Sequence, residues 1–277
     1  MLNLNTYEFA KQIRLLSLKA VYKAGCGHIG SSLSCTDILA VLYNEKMRYF
    51  PKEPKNPNRD RLVLSKGHAC PALYAALALK GFFDVSELDN LRKTSGFLEG
   101  MPSMVATPGV DMSSGSLGMG VSAAAGMAMA SKVNKIPYNV YVITGDGELN
   151  EGQIWESLMF AAHNNLDNLC VIIDKNGLQL SGRTESILNT APLEDKLKAF
   201  GANVMEIDGN DINQIRTALT SFDEEQNRFT VIIANTIKGK GISFMEDKVI
   251  WHGKAPNERE YRKAVEELEC SEPKSLT

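Results

Sequence analysis

The chain has 277 residues, 44% of them hydrophobic and 23% charged, with a formal net charge of −3. That length supports a sizeable buried core, and the slight acidity, without any basic run, excludes a polyanion-binding surface and hence nucleic acid as a partner. Five cysteines (Cys26, Cys35, Cys70, Cys170 and Cys270) include no C-x-x-C pair and read as free thiols of a reducing, cytoplasmic setting.

The opening segment MLNLNTYEFAKQIRLLSLKA interleaves charges with apolar residues, unlike a secretory signal. It predicts a helix from about Tyr7 to Ala24, with Phe9, Ile13, Leu16 and Ala20 on one face. The glycine-rich GCGHIGSSLS is expected to break that helix. A second helix is expected after Thr36 and Asp37, which would supply a capping side chain and an early acid. PKEPKNPNRD reads as a proline-rich surface loop, RLVLSKG (61–67) as a short buried strand and 71–80 as a helix. Ser86 with Asp89 suggests a further capped helix. From residue 121 the rhythm is regular: helix VSAAAGMAMASKV, strand NVYVITG, helix EGQIWESLMFAAHNN, strand NLCVIIDKN and a loop. Helix APLEDKLKAFG, strand NVMEID, helix DINQIRTALTSF and strand FTVIIANTIKG follow, and CSEPKSLT reads as a polar tail. Alternation of this kind specifies an α/β fold, a parallel sheet with helices on both faces. No repeat or linker interrupts 1–277, so one domain is expected. The longest apolar stretches, ALYAALAL and VSAAAGMAMA, fall short of the roughly 20 residues of a membrane span.

Ligands of parallel sheets sit at the carboxyl ends of the strands. Asp146, between two glycines in GDG, follows one predicted strand, and Asn176 follows the next. With a nearby backbone carbonyl they form an all-oxygen set suited to Mg²⁺ or Ca²⁺ that also binds substrate phosphates. Taken singly, each has a plainer reading, a helix cap and a turn residue; the pair at neighbouring strand ends favours the metal. Three of four histidines stand beside glycines, in GHIG (His28), KGHA (His68) and WHG (His252), as around a cleft for an anion or a reacting sugar. His163, inside a predicted helix, reads as structural. The spaced glycines Gly115, Gly118 and Gly120 could cradle an anion or let a ring lie on the backbone, but they match neither a Walker A loop nor a Rossmann fingerprint. Lys238, Lys240 and Lys254 are candidate phosphate contacts or merely solvated.

Together, GDGELNEGQ and the later IIDKN resemble a thiamine diphosphate motif. GHIGSSLS, LSKGHACPALY, TPGVDMSSGSLGMG and WHGKAPNE resemble, in order, the transketolase version of that fold. The likeness covers nearly the whole chain and only the N-terminal, diphosphate-binding part of a transketolase, as in the N-terminal subunit of a split enzyme. It implies that Asp146, Asn176 and the Leu178 carbonyl hold Mg²⁺, with Ca²⁺ a possible substitute, bridging the cofactor's diphosphate. It implies a Gly147 amide on the diphosphate, His68 and His252 beside it, and Gly115 and Leu117 contacting the aminopyrimidine through backbone. Glu151 would lie near the interface with the chain that supplies the activating glutamate, and His28 would face substrate hydroxyls. His28, His252 and Glu151 are thus the implied catalytic set. The implied activity passes a two-carbon ketol unit from a ketose to an aldose. The implied partner is a C-terminal subunit with the pyrimidine-binding domain, two copies of each chain assembling.

Where the family commonly reads G-H-P, this chain has Gly100, Met101 and Pro102. Methionine neither donates a hydrogen bond nor shuttles a proton, and a buried hydroxyl left unpaired costs on the order of 1–3 kcal/mol. Either another group compensates, or the ketose is non-standard, such as a sulfo-sugar or a branched sugar phosphate. GDG with a later asparagine also suits the cofactor subunit of a 2-oxo acid dehydrogenase, and a non-catalytic binding subunit is a third reading.

Overall fold

In a computed structural model, which describes residues 4–270, the chain opens with α1 (Thr6–Ala24). Asn5 caps it by accepting from the Glu8 amide, and Gly25, at φ 66°, ends it. Phe9, Ile13 and Ala20 are buried as the spacing predicts, while Leu16 is half-buried.

The glycines break α1 as expected, with residues 25–28 outside any helix, but helix resumes earlier than expected. GHIGSSLS is helical from Ile29: α2 (Ile29–Ser34) and α3 (Thr36–Val41) follow each other and run into a widened turn at Leu42–Lys46. Serine and threonine favour turns because they compete for backbone groups, yet here they bond back along the helix. Ser32 donates to the His28 carbonyl (2.9 Å) and Thr36 to that of Ser32 (2.9 Å). Neither Thr36 nor Asp37 caps α3, but Asp37 is an acid of its first turn as expected, and it pairs with Arg14 at 2.6 Å.

After the proline-rich loop come β1 (Arg61–Leu64), a 3-10 turn at Gly67–Ala69 and α4 (Cys70–Leu79). The helix expected at Ser86 is only a 3-10 turn, Val85–Asn90, capped by Asp84. Asp84 takes the cap by accepting from the Ser86 amide (2.8 Å) and also accepts from the Ser86 hydroxyl, while Asp89 is held by Lys19 and Lys23 of α1. The regular part then follows as predicted, to within a few residues at each boundary: α5 (Met119–Asn134), β2 (Val140–Gly145), α6 (Gly152–His163) and β3 (Leu169–Lys175). The expected loop contains a small hairpin, β4 (Leu178–Gln179) with β5 (Gly182–Arg183), and a turn of helix α7 (Thr184–Ile187). The chain continues with α8 (Leu193–Ala199), β6 (Asn203–Asp208), α9 (Ile212–Glu224), β7 (Thr230–Asn235) and α10 (Glu258–Cys270). Cys270 closes α10, and the rest of the expected polar tail lies outside the described residues.

The main sheet is parallel throughout, in the order β1-β2-β3-β7-β6. Alternate strand residues feed two cores. Tyr141, Ile143, Cys170 and Ile172 face α1 to α4, α9 and α10, whereas Val140, Val142, Val171 and Ile173 face α5, α6 and α8. Burial on both faces explains why these strands read as unbroken apolar runs. No described helix is long and apolar enough to cross a membrane.

Candidate active site

Neighbouring strand ends build the site. β2 and β3 pair with Gly145 opposite Asp174, so Asp146 and Asn176 leave adjacent strands at nearly the same level. The Asp146 carboxylate accepts from the Gly147 amide (3.0 Å), the Gly177 amide (2.7 Å) and the Thr184 hydroxyl (3.3 Å). It thereby ties the GDG turn to the loop after β3 and keeps acceptor capacity for a cation. Burial, reinforced by the Asp174 charge, pushes its carboxyl above the ordinary range; a bound cation would offset both. Asn176 Oδ1 accepts from the Leu178 amide at 3.1 Å. Among the described residues no group of three His, Cys, Asp or Glu side chains forms a metal site. The donors here are one carboxylate, one carboxamide and one carbonyl, a hard-oxygen set that fits Mg²⁺ sharing its shell with phosphate oxygens.

The three glycine-flanked histidines meet. Ring centroids lie 5.2 Å apart for His28 and His68, 5.3 Å for His28 and His252, and 5.1 Å for His68 and His252. Burial is the first reason that all three are held below the ordinary imidazole range. Arg92 and Lys238 add to it at His28, Lys66 at His68, and Lys238 at His252, which falls to about 3. At neutral pH the cluster is therefore uncharged. His28 Nδ1 is buried without a hydrogen-bond partner among the described residues. His163 ends α6, exposed.

A cavity of about 410 Å³ joins these groups. Its lining includes His28, His68, Gly115, Leu117, Asp146, Gly147, Glu151, Asn176, Leu178 and His252, so it gathers every residue to which the family resemblance gave a role, but not Gly118, Gly120, Lys240 or Lys254. Glu151 is exposed. Met101 stands in the same wall against Gly115. Its carbonyl and that of Glu99 are fixed by the Tyr74 hydroxyl (3.0 and 3.1 Å).

Three charged residues also line the cavity: Lys238, which the sequence offered as one of three candidate phosphate contacts, and Lys66 and Glu148, which it did not single out. Lys238 is 1% exposed, and its ammonium donates to the Leu178 carbonyl (3.1 Å) and contacts His252 Nδ1 (2.9 Å). Burial lowers it to about 8. Lys240 and Lys254, named with it, pair instead with Glu246 and Glu260. Lys66, also 1% exposed, pairs with the fully buried Asp174. Burial opposes the Lys66 charge, but the Asp174 carboxylate, with smaller contributions from Cys35 and Asp146, holds the ammonium above its ordinary range. Glu148 is buried beside the GDG turn. The available signal for the lysines was position: each follows an apolar strand directly and adjoins a glycine.

Residues 6–275 match the domain described as transketolase, thiamine diphosphate binding domain. The chain belongs to the transketolase family. It is 47% identical over 260 residues to the 6-deoxy-6-sulfo-D-fructose transketolase subunit SqwG of Clostridium sp. (strain MSTE9), with 94% of each chain covered. It is 42% identical over 251 residues to an apulose-4-phosphate transketolase subunit of Phocaeicola vulgatus, covering 91% of this chain and 89% of that one. The fold superposes on transketolase from Leishmania mexicana with a TM-score of 0.91 at 29% identity, over 98% of this chain but 42% of that one. The chain thus corresponds to the cofactor-binding part of longer transketolases and to whole subunits of split ones. This family membership decides against the 2-oxo acid dehydrogenase alternative.

Proposed function

We propose that this chain is the cofactor subunit of a two-chain transketolase that moves a two-carbon ketol unit from a modified ketose to an aldose. The observation that carries this reading is the convergence of Asp146, Asn176, the Leu178 carbonyl and three uncharged imidazoles on one cavity. In it, Asp146, Asn176 and Leu178 hold Mg²⁺, and Gly147 and Lys238 meet the diphosphate. When bound, thiamine diphosphate supplies the carbon nucleophile and electron sink of ketol transfer.

The chain's own residues do the rest. An ammonium has only donors, so Lys238 leaves His252 Nδ1 as acceptor and places the ring proton on Nε2. His252 therefore presents a hydrogen-bond donor. His28, uncharged and with Nδ1 unpartnered, is placed to exchange a proton with a substrate hydroxyl. Gly115 and Leu117 offer backbone to the aminopyrimidine. Glu151, at the exposed rim, faces the partner, which carries the pyrimidine-binding domain and its activating glutamate, two copies of each chain forming the enzyme. Free cysteines fit a cytoplasmic setting.

Met101 supports the substrate reading: it places a thioether in the cavity wall where the family commonly has a histidine. Two similar chains are named for a sulfonated and a branched sugar. Ketol transfer by the two-chain complex should therefore be faster from 6-deoxy-6-sulfofructose or apulose 4-phosphate than from xylulose 5-phosphate, and Met101→His should raise the xylulose 5-phosphate rate. Equal rates on all three donors, unchanged in the variant, would remove the specificity reading and leave an ordinary transketolase.

A further inference from the structure

We infer that Glu148 is a positioning residue that locks the backbone beneath the cofactor's ring to the turn that holds its diphosphate. The side chain is 2% exposed and accepts four hydrogen bonds. One comes from the Ser65 hydroxyl just past β1, and one from the Gly118 amide at the head of α5 (2.7 Å). The other two come from the Thr144 hydroxyl (2.8 Å) and the Gly145 amide (3.1 Å) at the end of β2. One carboxylate thus joins two strand ends and the loop that approaches α5.

The joint is tight as well as bonded. Gly118 sits at φ +86°, and a Cβ there would stand 2.7 Å from that of Glu151. A Cβ on Gly120 would overlap Ser65. The Gly118 end of the Gly115–Gly118 backbone is thus held against its neighbours as well as bonded to Glu148. Because Gly115 and Leu117 line the cavity, their height above the Asp146–Gly147 turn is set by this carboxylate. The inference rests on the reading that Gly115 and Leu117 meet the ring.

Glutamine in place of Glu148 keeps the volume but turns one acceptor into a donor. A hydroxyl can rotate to accept, but an amide cannot, so Gly118 or Gly145 loses its partner. The test is calorimetric titration of the assembled two-chain complex with Mg²⁺ and either inorganic diphosphate or thiamine diphosphate. Glu148→Gln should bind inorganic diphosphate within about twofold of the parent and thiamine diphosphate about tenfold or more weaker. Equal losses for both ligands would make Glu148 a general support of the fold, and no loss for either would make it dispensable; each overturns the inference. If Glu148→Gln does not fold, Ser65→Ala removes one of the four donors. It should lose about threefold on thiamine diphosphate alone, with the same overturning outcomes. A parent complex that binds thiamine diphosphate no tighter than inorganic diphosphate would overturn the ring-contact reading itself. Discrimination present in the parent and kept in the variants would overturn this inference alone.

Discussion

Two lysines set the charge of the site. Lys238 is lowered to about 8 by burial, so a diphosphate anion bound as proposed would meet an ammonium at pH 7 and an amine above pH 8. Thiamine diphosphate affinity should weaken as pH rises through about 8, and Lys238→Met should bind more weakly with that dependence flattened. Titrations at pH 7 and 9 check this. Lys66 matters for stability: with Asp174 it forms a buried ion pair that Ser34 (2.6 Å) and Thr236 also bond. Lys66→Ala should cost about 3–5 kcal/mol in chemical denaturation, because Asp174 is left buried and unpaired. Lys66→Met with Asp174→Leu should recover most of it. Asp146, Asn176 and the three histidines were legible in the sequence because glycines and strand ends flag them. Lys66 and Glu148 were not, and Lys238 was named without being told apart from Lys240 and Lys254. Charged residues are usually solvated, and what buries these is packing between segments distant in the chain.

At the level of elements, the strands were legible because burial on both faces leaves them uniformly apolar. The helices α5, α6, α8 and α9 were legible because connections between parallel strands must cross over, whereas the short α7 and the C-terminal α10 were not named. Two of the misread segments share a cause: the early helix in GHIGSSLS and the Ser86 segment are decided by where hydroxyls bond. Ser32 and Thr36 bond back along the helix, whereas Ser86 bonds to the aspartate two residues before it. Composition does not distinguish these outcomes. The head of α5 makes a sharper demand, since Gly118 is left-handed and abuts Glu151. Gly118→Ala should destabilise the chain by roughly 1–2 kcal/mol from backbone strain alone, with the overlap adding to it. Denaturant midpoints for the variant and the parent measure that.

For the whole molecule, the uncharged histidine cluster predicts acid sensitivity. Each of the three histidines titrates below its ordinary value of 6.5 when folded, so the unfolded chain takes up protons first. Stability should be lost as pH falls below about 6.5, with the His252 contribution continuing to fall until about 3. The thermal midpoint of the cofactor-free chain should therefore drop between pH 7 and 5, and by less in His68→Gln. The family was legible in the order of the motifs, whereas the substrate rests on one departure, Met101, whose setting only the folded wall reveals. Everything proposed for the assembled enzyme depends on this chain holding half of a shared site. The decisive assay is ketol transfer, with Mg²⁺ and thiamine diphosphate, measured for this chain alone, its partner alone and the two together. Turnover is expected only in the mixture. Robust turnover by this chain alone would contradict a shared site.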